Sequence, residues 1–117
     1  MSSFTEVAKT GEFQDGTLKT VSVQGKEILV ARVANSYYAI DNRCTHMGGR
    51  LDRGTLEGSI VTCPRHGSQF DLEDGHVVRW LKGSGLVSAL GKALKSPRSI
   101  KTYEVKVEGD AVLVAAD

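Results

Sequence analysis

The sequence predicts an all-β fold, a small antiparallel sandwich or barrel, on three observations. Runs rich in β-branched and aromatic residues recur at short spacing, glycine-centred turns separate them, and only one segment has helical periodicity. At 117 residues the chain has the length of one domain, 1–117, with 40% hydrophobic and 25% charged residues, proportions ordinary for a globular protein.

The front half supplies a meander. "TLKTVSVQ" and "KEILVARVA" are joined at Gln24-Gly25, a hairpin-like break, and "SYYAID" follows the tight turn Ala34-Asn35. Further strands are expected in "SIVTC" after Glu57-Gly58, in "SQFDL" before Asp74-Gly75 and in "HVVRW" after it. "IKTYEVKVE" and "AVLVA" close the chain across Gly109-Asp110. The exception is "SGLVSALGKALKSP", where Leu86, Leu90, Ala93 and Leu94 fall at helical spacing. Ser84 is placed to cap it and Pro97 to stop it, so one short amphipathic helix is expected at about 86–95 despite Gly91.

Charge is unevenly distributed. The net value is +1, but residues 1–75 hold 8 Lys/Arg against 10 Asp/Glu and residues 76–117 hold 7 against 4. Arg79, Lys82, Lys92, Lys95, Arg98 and Lys101 lie in a stretch without an acid. That stretch reads either as a solvated helix capping the sheet or as a docking surface for an acidic partner. A near-zero total and the lack of a binding motif argue against nucleic acid. No run approaches the roughly 18 apolar residues of a membrane span, and the start reads as no export signal, so the cytoplasm is expected.

Two cysteines and three histidines are few, and four of the five fall in two loops. Residues 44–49 read "CTHMGG" and residues 63–68 read "CPRHGS", that is Cys-x-His and then Cys-x-x-His, each running into glycine. In an unexported chain a Cys44–Cys63 disulfide is disfavoured against metal binding. Two thiolates and two imidazoles suit a tetrahedral zinc, although zinc fingers pair Cys with Cys and His with His. The mixed loops also suit a two-iron cluster in which one iron takes both cysteines and the other both histidines. Spacing makes the second natural and leaves the first open. His76, beside Asp74-Gly75, reads as a surface residue, and Trp80 as a core or rim anchor.

"CTHMGG" and "CPRHGSQFD" resemble the two cluster-binding loops of the Rieske [2Fe–2S] family, and the β context extends the likeness from about residue 4 to 115. The resemblance implies one [2Fe–2S] cluster per chain, with Cys44 and Cys63 on the inner iron and His46 and His66 on the outer. It implies small antiparallel sheets stacked in a sandwich, with a cluster-binding subdomain over about 42–80 tipped by the two loops. Met47, Gly48, Pro64 and Gly67 would ring the imidazoles. Ser68 matches a serine that donates to a bridging sulfide in high-potential relatives, whereas Phe70 stands where they have a tyrosine.

The departures from the family narrow the role. Rieske subunits of respiratory and photosynthetic complexes carry an extra cysteine in each loop; Gly49 and Arg65 occupy those positions here. The catalytic oxygenase subunits need a second, mononuclear iron site, for which only His76 would remain. The expected role is therefore a ferredoxin, a non-catalytic one-electron carrier between a flavin reductase and a terminal oxygenase or reductase. A ligand-bearing small subunit of a nitrite reductase-like enzyme is the alternative, and a zinc-stabilised interaction module the lesser one.

Overall fold

The computed structural model describes residues 4–44, 49–64, 67–79 and 99–116. The expected helix at 86–95, Trp80, and the basic residues Lys82, Lys92, Lys95 and Arg98 lie outside the described residues. Among those described, ten strands form two antiparallel sheets. In chain order they are β1 (Phe4–Lys9), β2 (Leu18–Val23), β3 (Lys26–Val33), β4 (Ser36–Asp41), β5 (Thr55–Glu57), β6 (Ile60–Thr62), β7 (Gln69–Asp71), β8 (Val77–Arg79), β9 (Thr102–Glu108) and β10 (Ala111–Ala115). The large sheet has the order β1-β10-β9-β4-β3-β2 and the small one β5-β6-β7-β8. No helix among the described residues is long and apolar enough to cross a membrane.

The predicted meander is present as β2-β3-β4, with register from Leu18↔Ala31 to Val23↔Lys26 and from Ile28↔Asp41 to Val33↔Ser36. Its turns fall where expected and have a left-handed backbone, φ 52° and 78° at Gln24-Gly25 and φ 55° at Ala34. The C-terminal hairpin pairs β9 with β10 from Glu104↔Ala115 to Glu108↔Ala111. Two strands were not legible. β1 carries a bulge between Glu6 and Ala8 that breaks its alternation, and β5 is three residues long. The remaining expected strands begin or end one or two residues inside their sequence limits, as in Ile60–Thr62 for 59–63.

The run Ile28-Leu29-Val30-Ala31 explains how the two sheets cohere. All four residues are fully buried, which a one-sided sheet would not allow. Because successive side chains point to opposite faces, Ile28 and Val30 enter one core with Val23, Ala39, Tyr103, Val112 and Val114. Leu29 and Ala31 enter the other with Ile40, Leu51, Val61, Phe70 and Leu72. The first core lies within the large sheet, and the second seats the small sheet upon it. Each fully buried Leu, Ile, Val or Phe contributes roughly 1.5–3 kcal/mol of transfer free energy, so the second core is what holds the subdomain in place.

The β7–β8 turn of the small sheet meets Ile100, just before β9, at Gly75. Gly75 has φ +79°, and a Cβ there would lie 2.1 Å from the Ile100 carbonyl oxygen, while Ile100 N–H donates to the Gly75 carbonyl at 2.9 Å. Only glycine permits that approach. Within the large sheet, the Tyr103 hydroxyl on β9 donates to Asp41 on the neighbouring β4 at 2.5 Å. Burial, with the Asp41 carboxylate beside it, raises its pKa above the ordinary phenol range.

Candidate metal centre

Cys44 follows β4 by three residues and Cys63 follows β6 directly. Both are buried, at 4% and 2% exposure, both belong to the core that seats the small sheet, and neither forms a disulfide. The two loops are closed in the same way. Cys44 N–H donates to the Gly49 carbonyl at 2.8 Å, and Cys63 N–H donates to the Ser68 carbonyl at 2.8 Å. Each cysteine thus opens a six-residue loop whose last residue returns to its backbone. Gly67 N–H adds a bond to the Cys63 carbonyl at 3.1 Å.

This donor set fits an iron–sulfur cluster on the side described. Two cysteine thiols, soft donors of the kind that bind iron–sulfur clusters, lie in one apolar core with Leu51, Val61, Phe70 and Leu72. His46 and His66, with Thr45, Met47, Gly48 and Arg65, lie outside the described residues. Of the other predicted residues, Ser68 is fully buried, Gly67 is buried and Pro64 is exposed. Phe70 is fully buried beside the cysteines and brings no hydroxyl to them.

Sequence reasoning missed the residues that hold the first loop. Arg43 and Arg50 face each other across its neck in a single antiparallel bridge. Asn42, fully buried just before it, spends its hydrogen bonds on both sides of the loop. Its N–H donates to the Glu27 carbonyl at 3.2 Å and its carbonyl accepts Leu51 N–H at 2.8 Å. Its side-chain Oδ1 accepts Asp52 N–H at 2.9 Å, and its Nδ2 reaches Glu27 Oε2 at 3.4 Å. Asp52 in turn accepts two bonds from Arg50, at 3.1 and 2.7 Å, and one from the Thr20 hydroxyl on β2 at 2.6 Å. The hydrogen bonds from Arg50 lead in lowering the Asp52 carboxyl to about 2, against the opposing effect of burial. Nothing in "DNRC" or "GRLD" marks these residues, since their partners are distant in sequence.

The second loop rises from a ladder. Thr62 pairs with Gln69 in the β6–β7 register, and Gln69 Nε2 donates to the Thr62 hydroxyl at 3.1 Å. Gly54 lets the preceding turn pack against it, because a Cβ there would lie 1.9 Å from the Thr62 carbonyl oxygen. His76 is exposed, as expected, with Nδ1 2.5 Å from Asp74 Oδ1. That contact leads in raising its pKa. Among the described residues no group of three or more His, Cys, Asp or Glu could hold a metal ion.

Comparison with known proteins agrees with this geometry. The model of the Rieske [2Fe-2S] domain matches residues 3–104. The ferredoxin component of the naphthalene 1,2-dioxygenase system of Pseudomonas aeruginosa is 36% identical over 105 residues, 88% of this chain and 86% of that protein. The solved ferredoxin of carbazole 1,9a-dioxygenase from Nocardioides aromaticivorans IC177 superposes with a TM-score of 0.81 at 29% identity, covering 99% of this chain and 100% of that one. A chain of the solved complex of reduced oxygenase and oxidized ferredoxin in carbazole 1,9a-dioxygenase superposes with a TM-score of 0.78 at 28% identity, covering 97% and 94%. With two buried cysteines heading two like-closed loops between stacked antiparallel sheets, the chain belongs to the Rieske [2Fe–2S] family, and a Rieske-type cluster is its cofactor.

Proposed function

We propose that Cys44, His46, Cys63 and His66 hold the cluster, the cysteines on one iron and the histidines on the other, and that the protein is the ferredoxin of a multicomponent oxygenase. The observation that carries this reading is the pair of buried cysteines in one core, each opening a loop closed by its own backbone N–H. When bound, the cluster accepts and releases one electron without making a bond to substrate. The chain's residues supply the rest. The apolar side chains of Leu51, Val61, Phe70 and Leu72 exclude water from the cysteine side. The buried Ser68 occupies the position of the serine that donates to a bridging sulfide in high-potential relatives, and Phe70 has no hydroxyl to donate. A reduction potential toward the low end of the roughly −150 to +300 mV range follows from the missing donor and the missing loop disulfide. Phe70→Tyr should raise it.

Electrons pass from a reductase to a terminal oxygenase, as in the relatives that are ferredoxin components of dioxygenase systems. An oxygenase is the expected docking partner, since a structural relative is a complex of oxygenase and ferredoxin. We read residues 1–117 as one domain with a cluster-binding subdomain over about 42–80, because β3 and β4 contribute to both cores. The cytoplasm, where thiols stay available to metals, is its expected compartment.

The test is anaerobic purification followed by visible and EPR spectroscopy with Cys44→Ser and Cys63→Ser alongside. A red-brown protein with a rhombic signal on reduction, lost or altered in both variants, is expected. A colourless zinc protein would end this reading.

A further inference from the structure

We propose that Asn42 and Asp52 are positioning residues for the first ligand loop: through them the β2–β3 hairpin of the large sheet, together with the loop's own closing backbone bond, sets where Cys44 stands. The proposal rests on the ligand assignment above and extends it to residues outside both loops.

The first loop has little ladder beneath it. One isolated bridge, Arg43 with Arg50, spans its neck. Asn42 compensates from below. Its main chain links β3 at Glu27 to Leu51 on the far side of the loop, and its amide oxygen takes the next N–H, that of Asp52. Asp52 then reaches across to β2. Its carboxylate, in a side chain only 17% exposed, is filled by both nitrogens of an Arg50 fork and by the Thr20 hydroxyl. A bidentate fork fixes direction as well as distance. The residues before and after the loop are therefore referenced to one rigid hairpin. Groups that orient ligands from behind act on the affinity and electronic character of the bound metal, not only on the fold.

A merely structural network and a positioning network differ in what they move. The experiment compares the purified holoprotein with Asp52→Ala, Asp52→Asn, Thr20→Val, Cys44→Ser and Val114→Ala. The last trims the other core, away from the loops. Both Asp52 variants remove the same charge, so a difference between them reports geometry. Asp52→Ala is expected to lose visible absorbance about tenfold faster under excess chelator, as when an outer partner of a metal ligand is removed. It is also expected to shift the EPR line positions of the reduced protein. Asp52→Asn, which keeps one acceptor oxygen but cannot take the Arg50 fork at both ends, should recover part of both effects, and Thr20→Val should show the same changes, smaller. Val114→Ala should lower the unfolding midpoint and leave the EPR lines in place. If Asp52→Ala behaves like Val114→Ala in both readouts, the positioning role is overturned. Should Asp52→Ala yield no holoprotein, an unshifted EPR spectrum in Thr20→Val overturns it instead. A native EPR signal in Cys44→Ser would overturn the ligand assignment itself, whichever way the Asp52 variants behave.

Discussion

The loops at 44–49 and 63–68 are closed by the same main-chain bond, yet they are tied to the molecule by different means. The second stands on the β6–β7 ladder, where backbone pairing does the holding and Thr62 with Gln69 adds one side-chain bond. The first leaves the large sheet at Asp41 and has no such ladder, so a buried asparagine and a forked carboxylate take its place. A strand pair specifies a loop's base through bonds that any residue can make. Without one, particular side chains must.

This contrast can be broken at several points. The largest effect is expected from Phe70→Ala, which empties a fully buried site between the small sheet and β3 and should cost about 4 kcal/mol in chemical denaturation. Gly75→Ala follows at about 3 kcal/mol, through a left-handed backbone and overlap with the Ile100 carbonyl. Both would unseat the second loop by moving its sheet; a midpoint unchanged by either would refute the seating role of that core.

Asn42→Ala should cost about 2 kcal/mol, because it leaves the Asp52 N–H without its acceptor. Gln69→Ala, on a half-buried bond beside an intact ladder, should cost clearly less. Equal losses would erase the distinction between the loops.

The Asp52 carboxyl sharpens the comparison through pH. Its folded pKa of about 2 lies below the ordinary 3.8, so its contribution is complete above pH 3.8 and is lost as pH falls through about 2. On the order of 2 kcal/mol rides on that interval. The stability difference between the protein and Asp52→Asn should therefore shrink between those pH values; a difference that stays constant would contradict it.

The smallest effect belongs to His76, outside both loops. Its pKa is raised by Asp74, so any stabilisation is present below 6.5 and disappears as pH rises through the folded value. Its NMR titration midpoint should lie above 6.5 and drop in Asp74→Asn.

The all-β class and the central meander were legible because strand alternation and turn residues are local signals, as were the hairpin breaks at Gln24-Gly25 and Gly109-Asp110. β1 was not, since its bulge spoils the period of two. The two loops proposed to hold the cluster stood out for another reason: a chain with so few cysteines and histidines placed four of them in paired, glycine-rich motifs. Chemistry that rare announces itself without a fold.

What the sequence determined by itself is thus the class of the fold, and it singled out the two loops proposed to bind the cluster. Only the tertiary structure decided that Cys44 and Cys63 share one buried core and that β3 is buried on both faces. It alone assigned Asn42, Asp52 and Thr20 to a common task. Asp52 and Thr20 are separated by 32 residues and are joined by a hydrogen bond whose geometry exists only once β2 lies beneath the loop. Local patterns record what neighbours in the chain do; they carry no trace of a bond between groups that meet only on folding.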